Sequence, residues 1–302
     1  MSNRSKRLAI FHSCAPVATK LFGCKEELYF CPICGNGYPE EAAFNGDLLT
    51  LEDVPPRNMG GKGLLLTCRE CNSGAGHKID YHIKNQTELQ ILGAILTGQS
   101  KGQETSANFV LNGESFPIYV QKTEEAITFK LKSNDPKRVS LLKSHMIALS
   151  ESNSWDGKEF KIDKTVKLDL RLMKIAFLKS GFILMTAMLG YRYAFDKRLS
   201  IVREQLLNPE NDLLGTCFWV EPGKEKLFPK RHIILVSDPL PLFLVTYDMG
   251  AVILPNPSSP IDLYEIIKKN CEKGQAINFT GTVYRWPEKA VMVLDNHDSK
   301  IA

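Results

Sequence analysis

The sequence predicts an α+β protein, and three observations support this. Two CxxC pairs and two short apolar strands fall within the first hundred residues. A long segment with helical periodicity then occupies residues 166–195, and the last part of the chain returns to short strands separated by turns. Runs of strands and helices that are segregated along a chain are typical of the α+β class.

A Gly/Ser/Gln-rich break, TGQSKGQETS at 97–106, is the predicted linker. Before it, LLTLEDV and GLLLTC are predicted strands and SGAGHKIDYHIKN is a predicted helix, whereas residues 1–25 are predicted to be irregular. The predicted domains are therefore 1–96 and 107–302. The second is a larger α+β domain, for which we expect a role in target recognition, oligomerisation or regulation.

The second predicted domain has its own pattern of elements. NFVLNGESFPIYVQ and AITFKLKS are predicted strands, with Asn112-Gly113 as a hairpin turn. DPKRVSLLKSHMIALSES is a predicted helix whose N-cap is Asp135 or a neighbour, and RLSIVREQLLN is a helix that follows the long one at 166–195. The remaining predicted strands are CFWVEP, HIILVSD, LFLVTYD, AVILP, NFTGTVYRW and AVMVLD.

Composition favours a cytoplasmic globular protein with no membrane partner. The chain is 43% hydrophobic and 24% charged with a net charge of +4. Its N-terminus lacks the continuous apolar core of a signal peptide, and Lys174, Lys179 and Arg192 interrupt the most apolar segment. The first hundred residues carry ten Lys/Arg and ten Asp/Glu, so DNA binding would need a local basic patch.

Two cysteine pairs, Cys31-Pro-Ile-Cys34 and Cys68-Arg-Glu-Cys71, predict a structural Zn²⁺ site. Each CxxC turn places two thiolates on one side of a tight turn, and two turns complete a tetrahedral site. In a cytoplasmic chain, disulfides are not expected. The alternatives are four ordinary core cysteines or a redox pair, although neither pair has thioredoxin-like surroundings.

The segment between the cysteine pairs carries an acidic pair, Glu52-Asp53, at a strand end before Pro55-Pro56. Folded back as a hairpin packed on a helix, this strand end would face the helix start at 72–77. In an arbitrary protein such a pair is more often a solvated strand end than a metal site.

The run CPICG…LTLEDVPPRNMGGKGLLLTCRECNSGAGHKIDYH, over about residues 28–85, resembles the HNH endonucleases that carry a four-cysteine zinc site, the ββα-metal nucleases. The resemblance implies one divalent metal, Mg²⁺ or Mn²⁺, between the strand end and the helix, a histidine that activates water, and DNA as the substrate. By analogy, a bacterial antiviral defence or mobile-element setting is expected.

This chain matches the family's motif at some site positions and departs from it at others. Glu52 matches the acidic metal ligand, and Asp53 stands where the family has histidine, so that Asp53 would serve as a second ligand or as the base. Asn72 matches the family's asparagine or histidine, and His77 would be a further metal ligand or catalytic group. Asn72 could equally cap the helix that follows.

Four cations, Arg57, Lys62, Arg69 and Lys78, surround the predicted site and would suit phosphate contacts. The alternative is an ordinary charged surface, because acidic residues are interspersed among them.

Three functions stay open on sequence grounds. The first is a metal-dependent HNH-type endonuclease that hydrolyses DNA phosphodiester bonds. The second is a catalytically inactive HNH-like zinc module that binds nucleic acid or a protein partner, since Asp53 would mark the loss of the base. The third is a structural zinc domain within an enzyme whose chemistry lies in the C-terminal half. A protein partner or a second copy would bind through the C-terminal domain.

Overall fold

The fold of this protein, taken from a computed structural model, is a mixture of helices and sheets, which confirms the predicted α+β class. The structure describes residues 2–45, 47–100, 102–151, 160–221, 231–273 and 278–287. The chain divides into two compact units. Unit 1 comprises residues 1–83 and 169–302, and unit 2 comprises residues 84–168.

This division differs from the one expected at the linker 97–106. The Gly/Ser/Gln-rich segment lies inside unit 2, and the segment with the two cysteine pairs belongs to the same unit as the C-terminal part of the chain. Unit 2 is therefore an insertion into unit 1 along the chain.

The N-terminal part of unit 1 contains short elements around the cysteine pairs. A 3₁₀ turn over Arg57–Met59 lies in the hairpin loop, and a π-helical turn over Gly76–Asp80 continues the third helix. The elements are α1 Asn3–Phe22, β1 Tyr29–Phe30, β2 Gly37–Tyr38, α2 Glu40–Asn45, β3 Leu49–Val54, β4 Lys62–Cys68, α3 Arg69–Ala75 and α4 Tyr81–Leu96.

Helix α1 corrects the expectation that residues 1–25 are irregular. The Ser2 hydroxyl accepts a hydrogen bond from the Ser5 N–H at the N-cap, and Gly23 ends the helix in the left-handed region at φ 66°. Apolar residues at helical spacing form its buried face. They are Ile10, Phe11, Cys14, Ala15 and Ala18.

Strands β3 and β4 form the predicted antiparallel hairpin. The register runs from Leu49 opposite Cys68 to Val54 opposite Lys62, and a bulge shifts it between Glu52 and Asp53. In the loop, a Cβ at Gly61 would lie 1.5 Å from the Pro55 carbonyl oxygen, so only glycine fits there. The bulge and the close loop position the acidic pair at the strand end.

Unit 2 is a four-stranded antiparallel sheet with one helix of its own and most of α4. Its hairpin turns at Asn112 and Gly113, which have φ values of 51° and 82°, as predicted from the Asn-Gly pair. Its core contains Ile95, Leu111, Phe116, Ile118 and Val120. The elements, with sheet order β7-β6-β5-β8, are β5 Glu104–Leu111, β6 Glu114–Lys122, β7 Ile127–Leu131, α5 Pro136–Glu151 and β8 Phe160–Asp163.

The C-terminal part of unit 1 packs a long helix on an antiparallel sheet of order β13-β10-β11-β12-β9. The predicted strand AVMVLD lies outside the described residues. The elements are α6 Leu170–Leu189, α7 Tyr191–Ala194, α8 Ser200–Leu207, β9 Trp219–Val220, β10 His232–Asp238, β11 Leu242–Tyr247, β12 Gly250–Pro255, α9 Leu263–Glu272 and β13 Thr280–Arg285.

Helix α6 forms the centre of unit 1. It packs against β12 on one side and against β3, β4 and the π-helical turn on another. The Tyr247 hydroxyl donates to the Phe177 carbonyl at 3.1 Å. The helix is long and apolar enough to cross a membrane, but 78% of its most apolar window is buried inside the protein, as expected for a core helix.

Candidate metal and nucleic-acid site

The four predicted zinc ligands come together. The Sγ atoms of Cys31, Cys34, Cys68 and Cys71 all lie within 4.8 Å of one another, and the Cys34–Cys68 pair is 3.7 Å apart. A tetrahedral zinc with Zn–S bonds of about 2.3 Å would separate its sulfur ligands by roughly 3.8 Å. The cluster therefore fits a structural zinc ion, which these four residues would hold.

Local backbone geometry explains why the sulfurs converge. Gly35 has φ 80° and donates its N–H to the Cys31 carbonyl at 2.8 Å, which closes the first turn. The Cys68 N–H points at the Cys31 sulfur at 3.4 Å. Hydrogen bonds among the sulfurs lower the pKa of Cys34 to about 7 and raise that of Cys71. A zinc ion would bind these groups as thiolates and displace their protons.

Two buried tyrosines fix the cysteine cluster to the rest of unit 1. The Tyr29 hydroxyl donates to the Leu66 carbonyl at 2.7 Å and accepts from the Leu66 N–H at 3.1 Å. The Tyr191 hydroxyl of α7 bonds both backbone groups of Phe30 in the same way, at 3.0 and 3.1 Å. The first cysteine turn is therefore held on the hairpin and on the C-terminal half of the unit.

Glu52 lies in a buried ion cluster. Its Oε1 is 2.7 Å from the Lys179 ammonium of α6, and its Oε2 accepts a hydrogen bond from the Thr67 hydroxyl at 3.0 Å. The same ammonium lies 2.9 Å from Oδ2 of Asp80, which ends the π-helical turn. Glu52 is 6% exposed and Lys179 is 1% exposed. Both oxygens of the predicted metal ligand are thus engaged by protein groups.

The charges of this cluster are unbalanced, because two carboxylates share one ammonium. Burial raises the pKa of Glu52, against the effect of Lys179, and Asp80 adds to the increase. Burial alone would lower the pKa of Lys179, but the two carboxylates outweigh it and raise the pKa. Lys179 therefore stays charged, and the cluster favours additional positive charge.

Asp53 lies on the other side of the bulge, half-buried. Burial raises its pKa, and the nearby cations Arg57 and Lys6 oppose the increase. The carboxylate thus has a different electrostatic environment from that of Glu52, with cations near the surface rather than a buried ammonium.

Asn72 and His77 stand on the helix that follows the hairpin. The Asn72 amide donates to the Thr50 hydroxyl at 2.8 Å and to the Leu51 carbonyl at 3.2 Å, so it joins α3 to β3. His77 falls within the π-helical turn, and its side chain lies outside what the structure describes. The predicted roles of these two residues as metal ligands stay predictions.

The four predicted phosphate-binding cations are all exposed. Arg69 lies 4.0 Å from Asp47 and Lys78 lies 3.7 Å from Glu210, which are weak surface ion pairs. Arg57 and Lys62 flank the loop at the end of the hairpin. Sequence reasoning missed two further cations here: Lys6 of α1, near Asp53, and Arg231, which donates to the Met59 carbonyl.

Sequence reasoning also missed the pairing of Lys179 with Glu52. The available signal was a lysine within the most apolar helical segment, where a buried ammonium needs an anionic partner. As arranged, Glu52 and Asp80 hold an ammonium rather than a divalent metal, so these residues do not fit a catalytic Mg²⁺ or Mn²⁺ while Lys179 is in place.

No protein-family model, curated protein or solved structure matches this chain. The cysteine cluster is therefore what connects the structure with the HNH resemblance, and the function is argued from the site.

Proposed function

We propose that this protein binds DNA through a zinc-stabilised, HNH-like module that does not hydrolyse it. The observation that carries the proposal is the engagement of both Glu52 oxygens, by Lys179 and by Thr67. HNH-type hydrolysis would need this carboxylate as a metal ligand. In addition, an aspartate, Asp53, occupies the position where the resemblance expects the histidine base. The expected acidic ligand is therefore engaged by protein groups, and the expected histidine base is absent.

The basic end of the hairpin supports DNA as the partner. Lys6 and Arg57 lie close enough to Asp53 to oppose the increase in its pKa, and Lys62 is exposed at the start of β4. Cations grouped on one surface suit contacts with the phosphate backbone, which position a protein on DNA without reading its sequence. We call Lys6, Arg57 and Lys62 the basic edge.

The binding test is fluorescence anisotropy with labelled duplex and single-stranded DNA over a series of salt concentrations. The double variant Lys6→Ala/Arg57→Ala should bind more weakly, and the slope of log K against log salt should decrease by about 2, since each phosphate contact contributes roughly 0.9 for duplex DNA. The matched control Lys137→Ala/Arg138→Ala removes the same charge from exposed positions on α5 and should bind as the wild type does. Equal loss in both variants, or no DNA binding by the wild type, would refute the proposal.

The second candidate is metal-dependent DNA hydrolysis. It is favoured by one observation, that Glu52 and Asp80 converge on a single cation position. Plasmid and single-stranded DNA incubated with the protein in Mg²⁺, in Mn²⁺ and in EDTA should stay intact under our proposal, and Asp53→His should gain no activity. Cleavage that needs the metal and disappears in Glu52→Gln would establish the second candidate instead.

A further inference from the structure

Three charged side chains from distant parts of the chain meet inside unit 1. Glu52 comes from β3, Asp80 from the π-helical turn and Lys179 from α6. The Lys179 ammonium lies 2.7 Å from one carboxylate and 2.9 Å from the other. Its side chain is 2% exposed, and that of Glu52 is 8% exposed. Water therefore contributes little to neutralising Glu52, and the ammonium is the positive charge that does so.

A second buried group stabilises the negative charge of Glu52. Thr67 is fully buried on β4, and its hydroxyl donates a hydrogen bond to Oε2 of Glu52. Lys179 contacts the other oxygen, Oε1. A buried, ionised carboxylate without a cation is destabilising, so Lys179 stabilises the ionised form of Glu52 in the folded protein.

An ammonium and a divalent metal exclude each other at this position. Magnesium coordinates carboxylate oxygens at about 2.0–2.1 Å, and an ammonium donates hydrogen bonds from nearly the same point in space. The lysine brings one charge and cannot dissociate, whereas a metal would bring two and could be removed by a chelator.

We infer that Lys179 is the permanent cation of the Glu52–Asp80 site, in the place where an HNH-type site would hold an exchangeable divalent metal. The inference deepens the proposed function and rests on it for the comparison with HNH-type sites. It assigns Lys179 as a positioning residue that fixes the hairpin and the π-helical turn to α6. The packing of the hairpin and the π-helical turn on α6 then does not depend on Mg²⁺ or Mn²⁺.

The experiment is a Mn²⁺ titration of zinc-loaded protein, followed by the electron paramagnetic resonance signal of free Mn²⁺. The wild type should bind no Mn²⁺ that depends on Glu52. Lys179→Met should bind one Mn²⁺ per chain, and Mn²⁺ should raise its melting temperature. The control Lys179→Met/Glu52→Gln, which lacks one carboxylate, should show neither effect.

Three results would overturn the inference. One is a Mn²⁺ ion bound by the wild type and lost in Glu52→Gln, since the lysine would then not exclude the metal. Another is a folded Lys179→Met that binds no Mn²⁺. If Lys179→Met is unfolded without metal, its circular dichroism is followed as Mn²⁺ is added, and failure to refold is the third. The Mn²⁺ titration contains no DNA, so a wild type that fails to bind DNA leaves its result unchanged and the two proposals fail separately.

Discussion

Each unit of this protein contains a lysine whose side chain is almost wholly buried, and the two lysines are bonded differently. Lys179 of unit 1 is 2% exposed and lies between the carboxylates of Glu52 and Asp80. Lys164 of unit 2 is 7% exposed and, among the residues that the structure describes, contacts one carboxylate, that of Glu88, at 2.7 Å.

The remaining donors of Lys164 reach neutral oxygens. Its ammonium bonds the Ser106 carbonyl at 2.7 Å and the Thr105 hydroxyl at 3.2 Å. Its acidic partner, Glu88, keeps 30% of its side chain exposed. Among the described residues, the Lys164 ammonium thus lies against one carboxylate, whereas the Lys179 ammonium lies against two, one of them buried. Both lysines are buried, so burial alone does not distinguish them. They differ in the number of carboxylates around the ammonium, which is one for Lys164 and two for Lys179.

The largest expected difference between the units comes from zinc. Cys68→Ser should remove the zinc ion, whose binding to structural sites stabilises folded peptides by about 10–16 kcal/mol. Hydrogen exchange should then show loss of protection in β1 to α3, whereas β5 and β6 of unit 2 should keep theirs. The matched variant Cys24→Ser, at a cysteine outside the cluster, should leave both units protected. Equal loss of protection in both units would contradict the prediction that the cysteine cluster stabilises unit 1 alone.

The next effect tests the two lysines directly. Lys179→Met should lower the stability of unit 1 by about 3–5 kcal/mol, because it leaves the buried Glu52 carboxylate without its cation. Lys164→Met should lower the stability of unit 2 by only about 1–3 kcal/mol, because Glu88 can regain water. Urea denaturation monitored by hydrogen exchange reports each unit separately. A larger loss in Lys164→Met than in Lys179→Met would contradict the charge-count explanation.

A smaller effect is the pH dependence of the Lys179 contribution. Because folding raises the pKa of Lys179, its contribution is complete below the ordinary value of 10.5 and is lost as pH rises through the folded value. The difference in unfolding free energy between wild type and Lys179→Met should decrease above about pH 10.5. A difference that already decreases between pH 7 and 9 would show that the lysine is not held in its charged form.

The smallest expected effect concerns Asp53, the half-buried neighbour of Glu52. Folding raises the pKa of Asp53, so its carboxylate opposes folding above that pKa, and Asp53→Asn should change stability at pH 7 by no more than about 0.5 kcal/mol. It should increase DNA affinity a few-fold, because one negative charge leaves the basic edge. Glu125→Gln, on an exposed turn of unit 2, is the control and should leave DNA affinity unchanged. An unchanged affinity in Asp53→Asn would place the DNA elsewhere.

Local patterns predicted the parts of the fold that depend on local chemistry. The CxxC spacing gave the cysteine cluster, the Asn112-Gly113 pair gave the unit 2 hairpin, and the apolar run gave α6. Helix α1 was missed because Pro16 lies inside it, and Pro disfavours a helix interior unless tertiary packing compensates.

The candidate site was only partly predictable for a physical reason. Asp80 and Lys179 are 99 residues apart in sequence, so their pairing leaves no periodic or spacing signal. Glu52 was identified as the central acidic residue, but whether it faces a metal or an ammonium depends on where α6 packs. The proximity of Lys6 to Asp53 was likewise not predictable, because it depends on where α1 packs.

The insertion of unit 2 has a consequence for biosynthesis. Residues 84–168 separate the two halves of unit 1, so a ribosome that adds about 5–20 residues per second needs on the order of 10 s to pass from the first half to the second. During this interval the nascent hairpin carries Glu52 without its lysine. All four cysteines of the cluster have already been synthesised by then, so the cluster can form before Lys179 is available to Glu52.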